Sequence, residues 1–238
     1  YPPKERPFAD EVGAPPGKLR IAFHSETPSG KPVHPEIRAA LEETAKLLEC
    51  LGHHVEERGL GIDYRRLYTA QRAVSGSNFA ATVDAAIKAQ GREPNPEEME
   101  ALTWRNYKGS KHLTGSEAMA GWSTLRSMSR DILKLHETYD VILSPVLGEP
   151  VPRIGEIDPV NMSPRDVDRR QAQAFPFTPP QNFTGQPAMS VPMGRDSNGL
   201  PIGMMFAGRY GDEATLFRLA AQLEEAKPWQ ATRPAVWG

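Results

Sequence analysis

The stretch that most constrains this chain runs from Phe177 to Gly208, FTPPQNFTGQPAMSVPMGRDSNGLPIGMMFAG. Two short apolar runs, Gln186 to Gly194 and Pro201 to Gly208, flank the linker Arg195-Asp196-Ser197-Asn198-Gly199. Its Asn-Gly pair suits positive φ, so the stretch predicts a β-hairpin. Along the first run Ala188, Ser190 and Pro192 alternate with Met189, Val191 and Met193. Both faces are apolar or small, as a strand covered on two sides requires. A hairpin set inside a covered sheet predicts an α/β protein.

The rest of the chain supplies strands and helices for such a sheet. Tyr1 to Gly17 holds five prolines and reads as an extended arm or linker. Leu19 to Phe23 is a strand, and a helix starts near Pro35, with Ile37, Leu41, Thr44, Leu47, Leu48 and Leu51 on one face. Gly52 stands where a left-handed cap belongs, and Val55 begins the next strand. A strand, helix, strand unit of this length closes as a right-handed crossover, which predicts a parallel pair.

Tyr64 to Gln90 is a second helical region, interrupted at Gly76 and ended by Gly91. Pro96 to Leu113 is a third, with Asn95 as its N-cap. Ser116 to His136 is a fourth, expected to bury Met119, Trp122, Leu125, Met128, Ile132 and Leu135. It leads to a strand from Tyr139 to Pro145. Gly148 to Pro176 reads as a long connection whose arginines, Arg153 and Arg165 to Arg170, form a solvated face. Glu213 to Ala226 is the last helix, stopped by Pro228.

The hairpin stretch also resembles a known family. Phe177-Thr178, Asn182, Thr184-Gly185, Pro187-Ala188, Ser190, Pro192 and Gly194, then Leu200-Pro201, Gly203, Gly208 and Asp212-Glu213, are similar to the carboxy-terminal part of the amidase signature family. Tyr139 to Pro145 resembles a late strand of that family, and Lys18 to Glu56 the unit that follows its signature region. The resemblance implies a mixed, largely parallel central sheet covered by helices, and hydrolysis of a carbon-nitrogen amide bond by a Ser, cis-Ser, Lys triad.

The Gly/Ser-rich segment that holds such a triad does not occur in these residues; Ser75-Gly76-Ser77 is short and sits in a helical pattern. The expectation is therefore residues 1–17 as an arm and residues 18–238 as the carboxy-terminal portion of an amidase, with the triad in an amino-terminal half of the same protein. This chain alone is then expected to be inactive, and no residue of it is assigned as catalytic. A second reading of the same absence makes the chain a non-catalytic subunit or binding module that pairs with a separate catalytic chain.

Composition narrows the partners. A formal net charge of −2 over 238 residues favours neither nucleic acid nor an anionic membrane. The single cysteine, Cys50, allows no internal disulfide and fits a cytoplasmic protein. No run of twenty apolar residues and no signal peptide is visible. The six histidines lack metal-ligand spacing, so neither a metal nor a cofactor is expected. His53 and His54 fall on opposite faces of a strand start, poorly placed to share an ion.

The expected partner is a small-molecule amide, and homodimerisation is consistent with a half-sheet. Poorly covered apolar surface at Met189, Val191, Met193, Met204 and Phe206 is the feature expected to drive association. The residues expected to bind substrate are Thr178, Asn182, Thr184 and Gly185, in the loop feeding the first hairpin strand, because ligands gather at strand ends. Short polar side chains also satisfy loop backbone, their commonest job. Ser190 has no nucleophile elbow around it and reads as a small residue on a crowded face.

Overall fold

The structure, a computed structural model, describes residues 3–232. It divides into two compact units, one of Tyr1–Leu60, Leu133–Val151 and Phe175–Gly238, the other of Gly61–Ile132 and Pro152–Ala174.

The first unit carries a five-stranded sheet. Its strands are β1 (Arg20–Phe23), β2 (His54–Glu57), β3 (Val141–Pro145), β4 (Ala188–Arg195) and β5 (Pro201–Gly208), in the order β2-β1-β3-β5-β4. β1 pairs parallel with β2 and with β3, and β5 pairs antiparallel with both β3 and β4. β1 to β4 therefore all point one way and β5 alone runs back. The sheet is mixed and its strand directions are largely parallel.

Helices α1 (Pro35–Cys50) and α7 (Glu213–Ala226) pack on one face. That face presents Ile21, Val141, Leu143, Val191, Met193, Met204 and Phe206 to Ile37, Leu41, Leu48, Leu216, Leu219 and Leu223. Met193, Met204 and Phe206 are wholly buried and Val191 nearly so. The expected poorly covered seam at these residues is thus corrected: the two helices already cover it, so a charge at Met193 would disrupt the core rather than a surface.

The opposite face differs along its width. Ala22, Ile142, Ser144, Met205 and Ala207 are buried, whereas Ala188 and Ser190 on β4 are exposed. Among the described residues β5 therefore lies inside the sheet and β4 at its edge, with the small residues Ala188 and Ser190 on an exposed face. In its turn only Gly199 takes positive φ, at 79°. Asp196 organises the rest, its Oδ1 accepting the amides of Asn198 and Leu200 at 2.9 and 2.8 Å.

The proline-rich start is docked instead of extended. Phe8–Glu11 forms a 3-10 turn whose Phe8 ring lies 5.3 Å from that of Phe217 on α7. Glu11 is buried and bonds Arg6 and Arg218 at 2.7 and 2.6 Å. The hydrogen bond from Arg6, followed by that from Arg218, holds its carboxyl down at about 2.

The second unit is helical: α2 (Tyr64–Gln90), α3 (Ala101–Ser110), α4 (Gly115–Leu133, whose last residue falls in the first unit) and α5 (Pro164–Ala174). α2 runs unbroken through Gly76 because that glycine marks a close approach: a Cβ there would sit 2.8 Å from Ser110 Oγ. Asn95 caps only a 3-10 turn, Pro96–Glu98, and the helix begins again at Ala101. On α4, Leu125, Met128 and Ile132 are inside as expected, but Met119 and Trp122 are 67% and 46% exposed. Gly121 takes the inward position, since a Cβ on it would lie 2.9 Å from the Ala70 carbonyl. The supposed bare connection contains α5, with Val167 and Ala174 buried and Arg170 bonded to Glu156 at 2.5 Å. No helix among the described residues is long and apolar enough to cross a membrane.

Candidate functional site

The segment from Phe177 to Pro187 runs along the sheet from one end to the other. It starts at the carboxyl ends of the parallel strands, where Phe177 meets the ring of His24 edge-on, centroids 5.9 Å apart. His24 directly follows β1, and its amide donates to Leu143 O at 3.0 Å. The segment finishes at the amino ends, where Pro187 O accepts from Gly208 N at 2.9 Å. The loop was expected at the ligand-binding end of a central strand. Instead it enters an edge strand from the amino side, and only its Phe177–Thr178 end lies by the carboxyl ends.

Between these anchors the chain forms a single helical turn, α6 (Gln181–Thr184). Gln181, its carboxamide turned so that nitrogen faces the preceding carbonyls, donates to Phe177 O and Thr178 O at 3.2 Å each. Gly185 ends the turn at φ 71° and donates its N–H to Gln181 O at 3.2 Å. Left-handed backbone is costly for a residue with a Cβ, and here the Tyr210 ring would also lie 3.2 Å from that atom.

Of the four candidate binding residues, Thr178, Asn182 and Gly185 are exposed and Thr184 is buried. The Thr184 Oγ1 accepts from Gln186 N at 3.5 Å, a local backbone task. The exposed three, spaced along the segment, offer hydroxyl, amide and backbone groups. Such a surface can orient a polar ligand, and nothing in it pairs a nucleophile with a base.

Three polar groups beneath and beside this segment were not singled out from sequence. His24 is buried, and burial alone pushes its pKa down to about 4, so the ring is neutral near pH 7. Its Nδ1 has no hydrogen-bond partner. His136, in the 3-10 turn Lys134–Glu137, is also held down at about 4, first by burial and then by the Arg209 charge. Gln186 reaches it: the Gln186 carboxamide nitrogen donates to His136 Nε2, and to Gly208 O at 2.9 Å. His136 and Gln186 stand fifty residues apart, and neither matches a short motif, so no sequence signal joined them.

Other sequence candidates resolve into structural roles. His53 Nδ1 accepts from Leu19 N at 3.1 Å and its Nε2 bonds Gln222 Oε1 at 2.8 Å, while His54 points outward. Ser190 lies on the exposed small face, its Oγ 2.9 Å from where a Cβ on Gly203 would be. Ser75 and Ser77 sit within α2. Among the described residues no three His, Cys, Asp or Glu side chains are grouped to hold a metal.

Comparison with known proteins agrees with this architecture. The chain is 31% identical over 245 residues to the 6-aminohexanoate-cyclic-dimer hydrolase of Paenarthrobacter ureafaciens, an alignment covering 98% of this chain and 49% of that protein. It is 33% identical over 230 residues to the putative amidase AmiC of Mycobacterium leprae, covering 95% of this chain and 48% of AmiC. The chain thus spans about half the length of the curated relatives it matches. A solved structure of 6-aminohexanoate cyclic dimer hydrolase complexed with substrate superposes with a TM-score of 0.84 at 31% identity, covering 98% of this chain and 50% of that one. A bacterial aryl acylamidase of the amidase signature family shares the fold, with a TM-score of 0.77 at 21% identity over 95% of this chain and 48% of its own. The family model for amidases matches residues 1–217, and on that match the chain belongs to the amidase signature family.

Proposed function

We propose that this chain is the carboxy-terminal, substrate-pocket-forming part of an amidase that hydrolyses the carbon-nitrogen bond of a small linear or cyclic non-peptide amide. The observation that carries the reading is a pairing of two facts. The amidase model matches residues 1–217, yet these residues contain no Gly/Ser-rich segment of the kind that holds the triad. The relatives named for cyclic-dimer hydrolysis support a non-peptide amide as substrate.

In this reading a serine outside the 238 residues attacks the amide carbonyl while a cis-serine relays its proton to a lysine; the proton returns to the amine as the tetrahedral intermediate collapses, leaving an acyl-enzyme that water hydrolyses to the acid. The present residues shape one wall of the pocket, with Thr178, Asn182 and Gly185 presenting groups to the substrate and Thr184 bracing the loop behind them. On this division of labour the 238-residue chain is inactive by itself, because its residues contain no Gly/Ser-rich segment to hold a lysine-activated serine.

The test is an assay of the complete protein and of this chain against linear and cyclic amides. Turnover by the complete protein, lost on replacing a serine of an upstream Gly/Ser-rich segment by alanine, is the expected result. Turnover by the 238-residue chain that survives Ser190→Ala would overturn the account of the triad. A natural protein whose mass equals that of this chain would favour a subunit paired with a separate catalytic chain.

A further inference from the structure

We propose that His136 is a positioning residue: through Gln186 it fastens the end of the Thr178–Gly185 segment to the amino end of the sheet, and protonation of its Nε2 releases that hold. The inference rests on the reading that this segment faces the amide substrate.

The geometry fixes every proton. His136 Nδ1 lies 3.0 Å from Tyr139 O, and a carbonyl only accepts, so Nδ1 carries the hydrogen. Nε2 of the neutral ring is then a lone pair, and the Gln186 carboxamide nitrogen donates to it. The second hydrogen of that nitrogen goes to Gly208 O at 2.9 Å. Reversing the carboxamide would set its oxygen against a carbonyl and a lone pair at once, so its orientation is determined. The Gln186 Oε1 consequently has no partner. Gln186 and His136 are 6% and 8% exposed, so water does not take over a broken bond.

Protonated His136 has hydrogens on both nitrogens, and the Nε2 hydrogen then opposes the Gln186 donor. Either the two groups part, or the carboxamide reverses and its oxygen takes the imidazolium hydrogen while facing the Gly208 carbonyl. The first outcome loses the bond from Gln186 to His136, and the second loses the bond from Gln186 to Gly208 as well. That bond sits beside the Gly208 N to Pro187 O bond, which closes the same junction. Gly185, one residue away, is the exposed end of the candidate binding segment.

The charged groups around the ring balance one another. Arg209, following β5, donates to His136 O at 3.2 Å and pairs with Asp140 at 2.9 Å. Its charge lowers the imidazole pKa, whereas Asp140 before β3 and Asp212 at the start of α7 raise it. Burial outweighs both carboxylates, and the ring stays neutral until the solution is acidic.

Two measurements on the complete protein test this. In the first, the His136 ring nitrogens and the Gln186 side-chain amide are followed by NMR through an acid titration. The expected result is one shared midpoint well below 6.5; a Gln186 signal that stays flat while His136 titrates overturns the hold, whatever the protein hydrolyses. In the second, KM for an amide substrate is measured against pH for the parent, His136→Leu and His136→Gln. The parent KM should rise several-fold as His136 protonates, whereas the fall of kcat in acid, set by the proposed lysine, should be the same in all three proteins. His136→Leu should show the raised KM at every pH, and His136→Gln, whose amide oxygen still accepts from Gln186, should restore a low and pH-independent KM. Equal KM in all three at every pH overturns the positioning role; if His136→Leu misfolds, a His136→Gln protein whose KM rises in acid as the parent's does overturns it, because that side chain has no proton to gain. Shared titration in a protein that cleaves no amide would support the hold and refute the amidase reading instead.

Discussion

The two ends of the Phe177–Pro187 segment are fastened by different physics. At the carboxyl ends of the parallel strands an aromatic residue and a histidine meet edge-on, Phe177 is 3% exposed, and the His24 Nδ1 has no partner. At the amino end His136, Gln186, Gly208 and Pro187 are joined by directional hydrogen bonds. Both histidines are neutral and both are held down at about 4 with burial as the leading cause. A shared shift thus conceals different roles: one ring is packed as an apolar body, and the other is a node whose proton count decides which bonds exist. Apolar packing tolerates small displacements, whereas a donor set against a donor cannot be relaxed by a small displacement.

The largest expected effect breaks the packed end. Phe177→Ala removes a buried aromatic side chain and should cost about 3–5 kcal/mol in urea unfolding. A loss below about 1 kcal/mol would mean that the contact with His24 is incidental.

Acid should act on both ends together. A histidine held neutral in the fold binds its proton more readily when unfolded, so stability is full above 6.5 and declines as pH falls towards about 4. Melting temperature measured across that window should drop, by an amount equivalent to a few kcal/mol for the pair. His24→Phe keeps an aromatic edge and removes one of the two titrations, which should flatten the curve. An unaltered curve would assign the acid sensitivity to other groups, such as Glu11, whose own loss belongs between 4.5 and about 2.

Backbone strain sharpens the comparison at the amino end. Gly185→Ala places a Cβ on left-handed backbone against the Tyr210 ring and should cost about 1–2 kcal/mol, read by thermal melting. The smallest effect on stability is expected between the two anchors. Asn182→Ala alters an exposed side chain and should stay within about 0.5 kcal/mol, while changing KM in the complete protein. A large melting loss with unchanged kinetics would return Asn182 to loop architecture.

Much of this was legible in the residues. The periodicity of Ile37, Leu41 and Leu48 specifies α1, Pro35 and Gly52 bound it, and the strand, helix, strand spacing specifies a parallel pair. The family resemblance, carried by Phe177 to Glu213 together with Tyr139 to Pro145 and Lys18 to Glu56, agrees with the family match over residues 1–217. These features are local: dihedral preference, side-chain period and turn chemistry all act within a few residues, so sequence carries them directly.

Tertiary structure alone decided what depended on neighbours. Met119 and Trp122 have the spacing of core residues, yet Gly121 faces inward because the Ala70 carbonyl leaves no room for a side chain there. Gly76 looked like a break and is a contact point, since helix geometry survives a glycine when packing supports it. Ala188 and Ser190 alternate as they would in a covered strand, and only the strand order reveals that β4 is an edge with one open face. The pairing of His136 with Gln186 is the clearest case. Hydrogen-bond partners fifty residues apart are brought together by the packing of three strand ends, and no pattern within either segment encodes which partner the other will find.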